Sequence, residues 1–125
     1  MGALSDVRAV ALDDVPVIEL PNGSWSRMVV TDQSVSGNGA SLGYSVFTPG
    51  TATDPVSHKT DEVAYVLSGR GELKLDKGAV AFKAGDGLFI PAGVWHAVVN
   101  TGDEDVAMVF GFPFPSYPPT ERRQR

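Results

Sequence analysis

The chain has no cysteine and only two histidines. Without thiols there is no disulfide, no thiolate metal site and no cysteine nucleophile. Long apolar runs are missing as well. Nowhere do about 18 apolar residues follow one another, so no membrane-spanning helix is expected and no membrane partner. Asp6, Asp13, Asp14 and Glu19 interrupt the opening thirty residues, where a secretory leader would need an apolar stretch, and the reading is of a cytoplasmic protein. Gly2 follows Met1, but the myristoylation pattern wants Ser or Thr where Asp6 stands, so it is not met. Positive charge is also scarce, with 10 Lys and Arg against 15 Asp and Glu. Glu121, Arg122, Arg123 and Arg125 contribute +2 of the net −5, which leaves −7 on the body before them. A phosphate-backbone reader needs a concentrated basic face, so no nucleic-acid partner is expected.

What is present is apolar material, 42% of 125 residues, enough for one packed domain spanning 1–125 with its core at about 25–112. Turn formers are plentiful, with 14 Gly and 9 Pro spread along the chain. From residue 41 they punctuate short apolar or alternating segments: Ser41 to Thr48, Val63 to Leu67, Glu72 to Leu75, Val80 to Lys83, Leu88 to Ile90, Val94 to Val99 and Val106 to Phe112. No segment there keeps apolar residues at i, i+3, i+4 and i+7 for three turns. Strands at this spacing predict an all-β sandwich or barrel. Trp25 to Thr31 reads as a further strand and Gln33 to Ala40 as a loop, while Val7 to Leu12 fits either a short helix or an edge strand. The Pro-rich tail from Pro113 cannot be a central strand. Its aromatics are expected to pack on the barrel or on a neighbouring chain, and its last charged residues to fray.

The two histidines stand in a patterned frame. One stretch reads Gly85, five residues, Pro91, one residue, Gly93, two residues, His96, three residues, Asn100. Upstream, Gly50 is followed after five residues by Val56, after one by His58, after three by Glu62 and after six by Gly69. His58 and Glu62 bracket Lys59-Thr60-Asp61, a tight polar loop, and are expected on adjacent strands pointing the same way.

These two stretches resemble the paired motifs of the cupin family. The second matches at every position, and the first at all but Val56, where the family has a histidine. The resemblance implies a double-stranded β-helix barrel of the jelly-roll type. It also implies that His96 is brought beside His58 and Glu62 to hold one divalent metal ion. Two imidazoles and a carboxylate leave positions open for water, substrate or dioxygen. By count the set resembles the triad associated with non-haem Fe2+, which favours iron, although Zn2+, Mn2+, Ni2+ and Co2+ accept the same donors. A working three-ligand site, a weak site and a lapsed site on a binding scaffold all remain open. Asp54 shares the strand parity of Val56 and His58, but Pro55 beside it argues against its serving as a fourth ligand.

Strand parity also names a pocket. Val98 follows His96 on one face, Met108, Phe110 and Phe112 form the bulky face of the last long strand, and Ala64 follows Glu62, with Tyr65 outside. Val56 and Ala64 leave space near the metal. Few general bases remain: Glu62 if it loosens from the ion, a metal-bound hydroxide, or Tyr44 if its strand turns it inward. No Ser-His-Asp set can be assembled, and Ser68-Gly69-Arg70-Gly71 lacks the Lys and helix of a phosphate loop. The expected function is a metal-dependent enzyme acting on a small oxygenated organic substrate. Fe2+ dioxygenase chemistry, an oxidoreductase reading, comes first; a lyase, isomerase or cyclase using the ion as Lewis acid and a non-catalytic ligand binder are the alternatives. Cupins of this size commonly pair through sheet edges, so a homodimer is expected.

Overall fold

The computed structural model describes residues 7–124. Residues with period-two alternation form the strands that build the core. In β3 (Ser41–Phe47) and β10 (Val106–Phe112) every second residue is buried, and β5 (Glu62–Ser68) buries Val66 while exposing Val63, Tyr65 and Leu67. With β1 (Ile18–Glu19), β2 (Trp25–Val30) and β8 (Gly87–Ile90) they make a six-stranded antiparallel sheet of order β1-β2-β3-β10-β5-β8. A five-stranded sheet faces it, made from β4 (Val56–His58), β6 (Arg70–Leu75), β7 (Ala79–Lys83), β9 (His96–Asn100) and β11 (Thr120–Arg122) in the order β11-β4-β9-β6-β7. This is the all-β, two-sheet architecture expected. Phe47, Val66, Leu73, Phe82, Ile90, Val106 and Met108 form the core between the sheets. Among the described residues no helix is long and apolar enough to cross a membrane.

The motif glycines and Asn100 serve the backbone. Gly69 has φ +81° and lies so close to the Asp105 carbonyl and Val106 that a Cβ has no room. Asn100, 3% exposed, donates from its amide to the Phe47 and Glu104 carbonyls and accepts from Gly102 N, which fixes the turn between β9 and β10 against β3.

The ends of the chain differ from expectation. Val7 to Ala11 forms neither a helix nor a strand, and Leu12 opens a 3-10 turn at Leu12–Asp14; a second lies at Pro21–Gly23, with the short β1 between them. Gly2 and Asp6 lie outside the described residues. The tail does not fray after Pro119. Glu121 and Arg122 belong to β11, which pairs antiparallel with β4 at the edge of its sheet. Lys59 N donates to the Pro119 carbonyl and Arg123 N to the Pro55 carbonyl, so both ends of β11 are tied down. The Arg123 guanidinium lies 4.2 Å from the Trp95 ring centroid and bonds Asp76.

Candidate metal centre

Parity carries the three expected residues inward. On β4, Val56 and His58 point the same way, and Val56 stands opposite His96 on β9, so both imidazoles come from the five-stranded sheet. Glu62 opens β5 in the six-stranded sheet. His58 and Glu62 are therefore not on neighbouring strands, as their spacing suggested. The Lys59–Asp61 loop crosses from one sheet to the other, and the carboxylate reaches the imidazoles across the interior. Gly93 N and the Asp61 carboxylate tie the neighbouring loops, through the His58 carbonyl at 2.8 Å and Ala92 N at 3.0 Å.

Glu62 Oε1 lies 3.2 Å from His58 Nε2 and 3.4 Å from His96 Nε2. Both histidines are 5% exposed. The protonation of the far nitrogens follows from their partners. His96 Nδ1 lies 2.9 Å from the Val94 carbonyl, which can only accept, so that nitrogen carries a proton. Thr120 Oγ1 gives its one proton to the Pro118 carbonyl at 2.8 Å and therefore accepts from His58 Nδ1 at 2.7 Å. In both neutral rings the lone pair is then on Nε2, facing a carboxylate oxygen. Three acceptors converge with no donor among them, and only a proton on an imidazole or a cation relieves that arrangement.

The electrostatics agree. Burial pushes the Glu62 carboxyl up, yet hydrogen bonds and charge from His58 and His96 more than offset it and hold the group below its ordinary 4.5. Burial by itself lowers His96, but the Glu62 carboxylate and the Val94 carbonyl raise it above its ordinary 6.5. The three ligand atoms lie within 4.8 Å of one another, two imidazole nitrogens and a carboxylate oxygen, a donor set that fits a divalent transition metal.

The cluster opens on a cavity of about 310 Å³. Val56, Ala64, Val98, Met108 and Phe110 line it, as parity suggested. Tyr44 does not. The inward positions of β3 are Ser41, Gly43, Ser45 and Phe47, so Tyr44 falls on the outer face and stacks on Trp25 with centroids 5.8 Å apart. Gly43 has its own reason: the Phe110 ring lies where a Cβ would stand. Asp54 borders the cavity but is not in the cluster.

Phe112, on the bulky face read from the strand, lines the cavity too and meets the His58 ring edge-on at 5.0 Å. Several wall residues escaped the sequence reading. Tyr117 meets the same ring edge-on at 5.3 Å. Tyr117 has its phenol raised above 10 by burial and by the Glu62 charge, against the pull of Thr120 and Arg122. Thr120 and Arg122 enter because β11 pairs Thr120 with His58 and Arg122 with Val56. Ser26 on β2 and Ser45 on β3 line the wall farther along the sheet. The aromatic tail was visible in the sequence, but nothing local said which strand it would join.

Residues 43–112 match the cupin domain family. Among curated proteins, the protein SchB of Streptomyces halstedii is 35% identical over 107 residues, covering 82% of this chain and 75% of that protein. The polyketide synthase CurC of Streptomyces cyaneus is 35% identical over 101 residues, covering 78% of this chain and 65% of its own length. Among solved structures, the polyketide cyclase RemF from Streptomyces resistomycificus superposes with a TM-score of 0.75 at 23% identity, covering 94% and 85% of the two chains. A predicted oxalate decarboxylase from Thermotoga maritima gives 0.69 at 22% identity, covering 84% and 97%. At those identities the structures establish a shared fold.

Proposed function

We propose, from the premise that this chain belongs to the cupin family, that it is a metal-dependent enzyme that closes rings in an oxygen-rich, carbon-chain substrate of the polyketide type. The observation that carries this reading is the convergence of His58 Nε2, His96 Nε2 and Glu62 Oε1 on one wall of an otherwise largely apolar cavity. The names of the curated relative CurC and of the structural neighbour RemF support the substrate class. His58, Glu62 and His96 would hold the ion, which when bound supplies Lewis-acid polarisation of a substrate carbonyl.

The rest is the work of the chain itself. Phe110, Met108 and Leu88 pack against the carbon skeleton and keep water from it. Val56, in place of a further imidazole, leaves that side of the cluster apolar. Tyr117 keeps its phenolic proton at neutral pH and can lend it to an oxygen bound beside His58. An intramolecular carbonyl condensation forms one C–C bond, moves one proton from carbon to oxygen and releases water if the ring aromatises. It requires no oxidant.

A second reading, Fe2+ oxygenase chemistry, is favoured by the count of two imidazoles and one carboxylate. Metal analysis of the purified protein, followed by anaerobic turnover of a poly-β-ketone substrate, separates the two. Ring closure by a zinc form without oxygen supports the cyclase; oxygen consumption that requires iron replaces it with the oxygenase. Loss of both metal and turnover in His58→Ala and His96→Ala is expected under either reading. Unchanged metal content in both variants leaves only a ligand-binding scaffold.

We also propose a homodimer through the outer face of the six-stranded sheet, where Val63, Tyr65 and Phe89 are exposed beside the edge strand β8. Sedimentation velocity is expected to give a dimer for the parent and a monomer for Phe89→Asp.

A further inference from the structure

One polar feature of the cavity lies away from the cluster. Ser26 on β2 and Ser45 on β3 face each other in register, with Oγ atoms 2.6 Å apart, and both line the cavity. Ser45 is 3% exposed. Their neighbours on the wall are apolar: Ile18 is the register partner of Ser26, and Met108 that of Ser45. Two hydroxyls carry two protons. The bond between them uses one, and neither oxygen has another partner among the described residues, so one O–H stays uncommitted. The buried hydroxyls of Ser24 and Ser41 are used locally: Ser24 joins Thr48 and Thr51, and Ser41 donates to the Ser116 carbonyl. An unpaired hydroxyl in an apolar wall costs about 1–3 kcal/mol unless something in the cavity accepts from it.

The place of the pair matters. Ser41 stands opposite Phe112, whose ring touches His58, and Ser45 lies four residues farther along β3, about 13 Å at the usual strand rise. Phe110, opposite Gly43, fills the wall between these levels, and Met108 stands at the level of Ser45. Along this wall the cavity thus has a polar pole at each end with apolar side chains between, while Thr53, Asp54 and Arg122 line it elsewhere.

We propose that Ser26 and Ser45 form a second anchoring point, which donates a hydrogen bond to a carbonyl or hydroxyl oxygen at the far end of an extended, flat, largely apolar substrate. This rests on the cavity being the substrate site of the proposed function, and it deepens that reading. The substrate class is an oxygenated aromatic or pre-aromatic skeleton of two to three rings, with one oxygen at the His58–Glu62–His96 cluster and another at the serines. A two-carbon diacid is too short to touch both poles.

Calorimetric titration of the full-length protein with 4,4′-dihydroxybiphenyl and 4-hydroxybiphenyl tests the proposal without relying on turnover. The parent is expected to bind the dihydroxy probe about five- to tenfold more tightly, the worth of one buried hydrogen bond. That preference is expected to vanish in the double variant Ser26→Ala/Ser45→Ala, while affinity for the monohydroxy probe holds; each single variant leaves the remaining serine with a free O–H and is expected to keep part of the preference. A preference that survives in the double variant, or an equal weakening of both probes there, overturns the serine anchor while leaving the cavity as the substrate site. Failure of the parent to bind either probe overturns the cavity reading and the anchor with it.

Discussion

Each imidazole of the cluster spends one nitrogen on its own support and presents the other to Glu62. Groups that fix the far nitrogen of a metal-binding histidine are typically worth about 10- to 100-fold in metal affinity. Thr120→Val is therefore expected to weaken Co2+ binding by about that factor, with Thr120→Ser restoring it, as measured by chelator competition. In the metal-free protein, nitrogen NMR of His58 is expected to show the proton leaving Nδ1 in Thr120→Val and staying there in Thr120→Ser. The cluster also makes stability depend on pH. Glu62 is held below its ordinary 4.5, so its contribution is present above that pH and is lost as the pH falls through the lowered value. His96 is held above 6.5, so its contribution is full below that pH and fades as the pH rises through the raised value. Thermal melts of the metal-free protein are expected to show a plateau between these limits and a fall on both sides, and Glu62→Gln to flatten both slopes. His58, Glu62 and His96 were legible because their spacing in the chain is itself the family motif. Thr120 was not, since nothing near it marks a hydroxyl that serves a histidine 62 residues away. Tyr44 illustrates a different loss: side-chain direction alternates residue by residue, and a local pattern of mixed small and apolar residues does not say which face is the inner one.

Strands long enough to alternate could be read from the chain, whereas the two- and three-residue strands could not. β3, β5, β6, β7, β8 and β10 follow from their own residues and the turns that bound them. β1, β4 and β11 are strands only because a partner from elsewhere in the chain lies beside them. β11 matters most for the site, because it covers the outer edge of β4 and delivers Thr120 and Arg122 to the side that carries His58 and Val56. Its fastening is the exposed Arg123, stacked on Trp95 and bonded to Asp76. Stacking of this kind at the surface contributes about 0.5–1 kcal/mol. Arg123→Ala is thus expected to leave the global melting temperature nearly unchanged while amide exchange at Lys59 and Glu121, in the hydrogen-bonded pairs of β4 and β11, accelerates and that at β9 does not. Asn100 behaves in the opposite way. Replacing it with Ala strips partners from the Phe47 and Glu104 carbonyls and from Gly102 N, and is expected to cost about 1–3 kcal/mol in denaturant unfolding with no specific change at the cluster.

The molecule divides its interior into a packed core and a cavity, and the two compete for the same inward positions. Val66, Leu73 and Val106 fill the space between the sheets, whereas Ala64 leaves it open beside Phe110, whose ring takes the place of a side chain at Gly43. Ala64→Leu is expected to hold or raise the melting temperature and to weaken binding of a hydroxybiphenyl probe about tenfold or more, which a melt and a calorimetric titration check together. The sequence by itself determined the two-sheet architecture, the turns and the residues that meet at the cluster, because alternation, glycine placement and motif spacing act over a few neighbouring residues. The tertiary structure alone decided that His58 and Glu62 face each other from opposite sheets and that the tail returns to hold His58. It also decided that Ser26 and Ser45 stand together at the far end of a channel. These are outcomes of strand order and register between distant segments, set by how all the inner faces bury against one another.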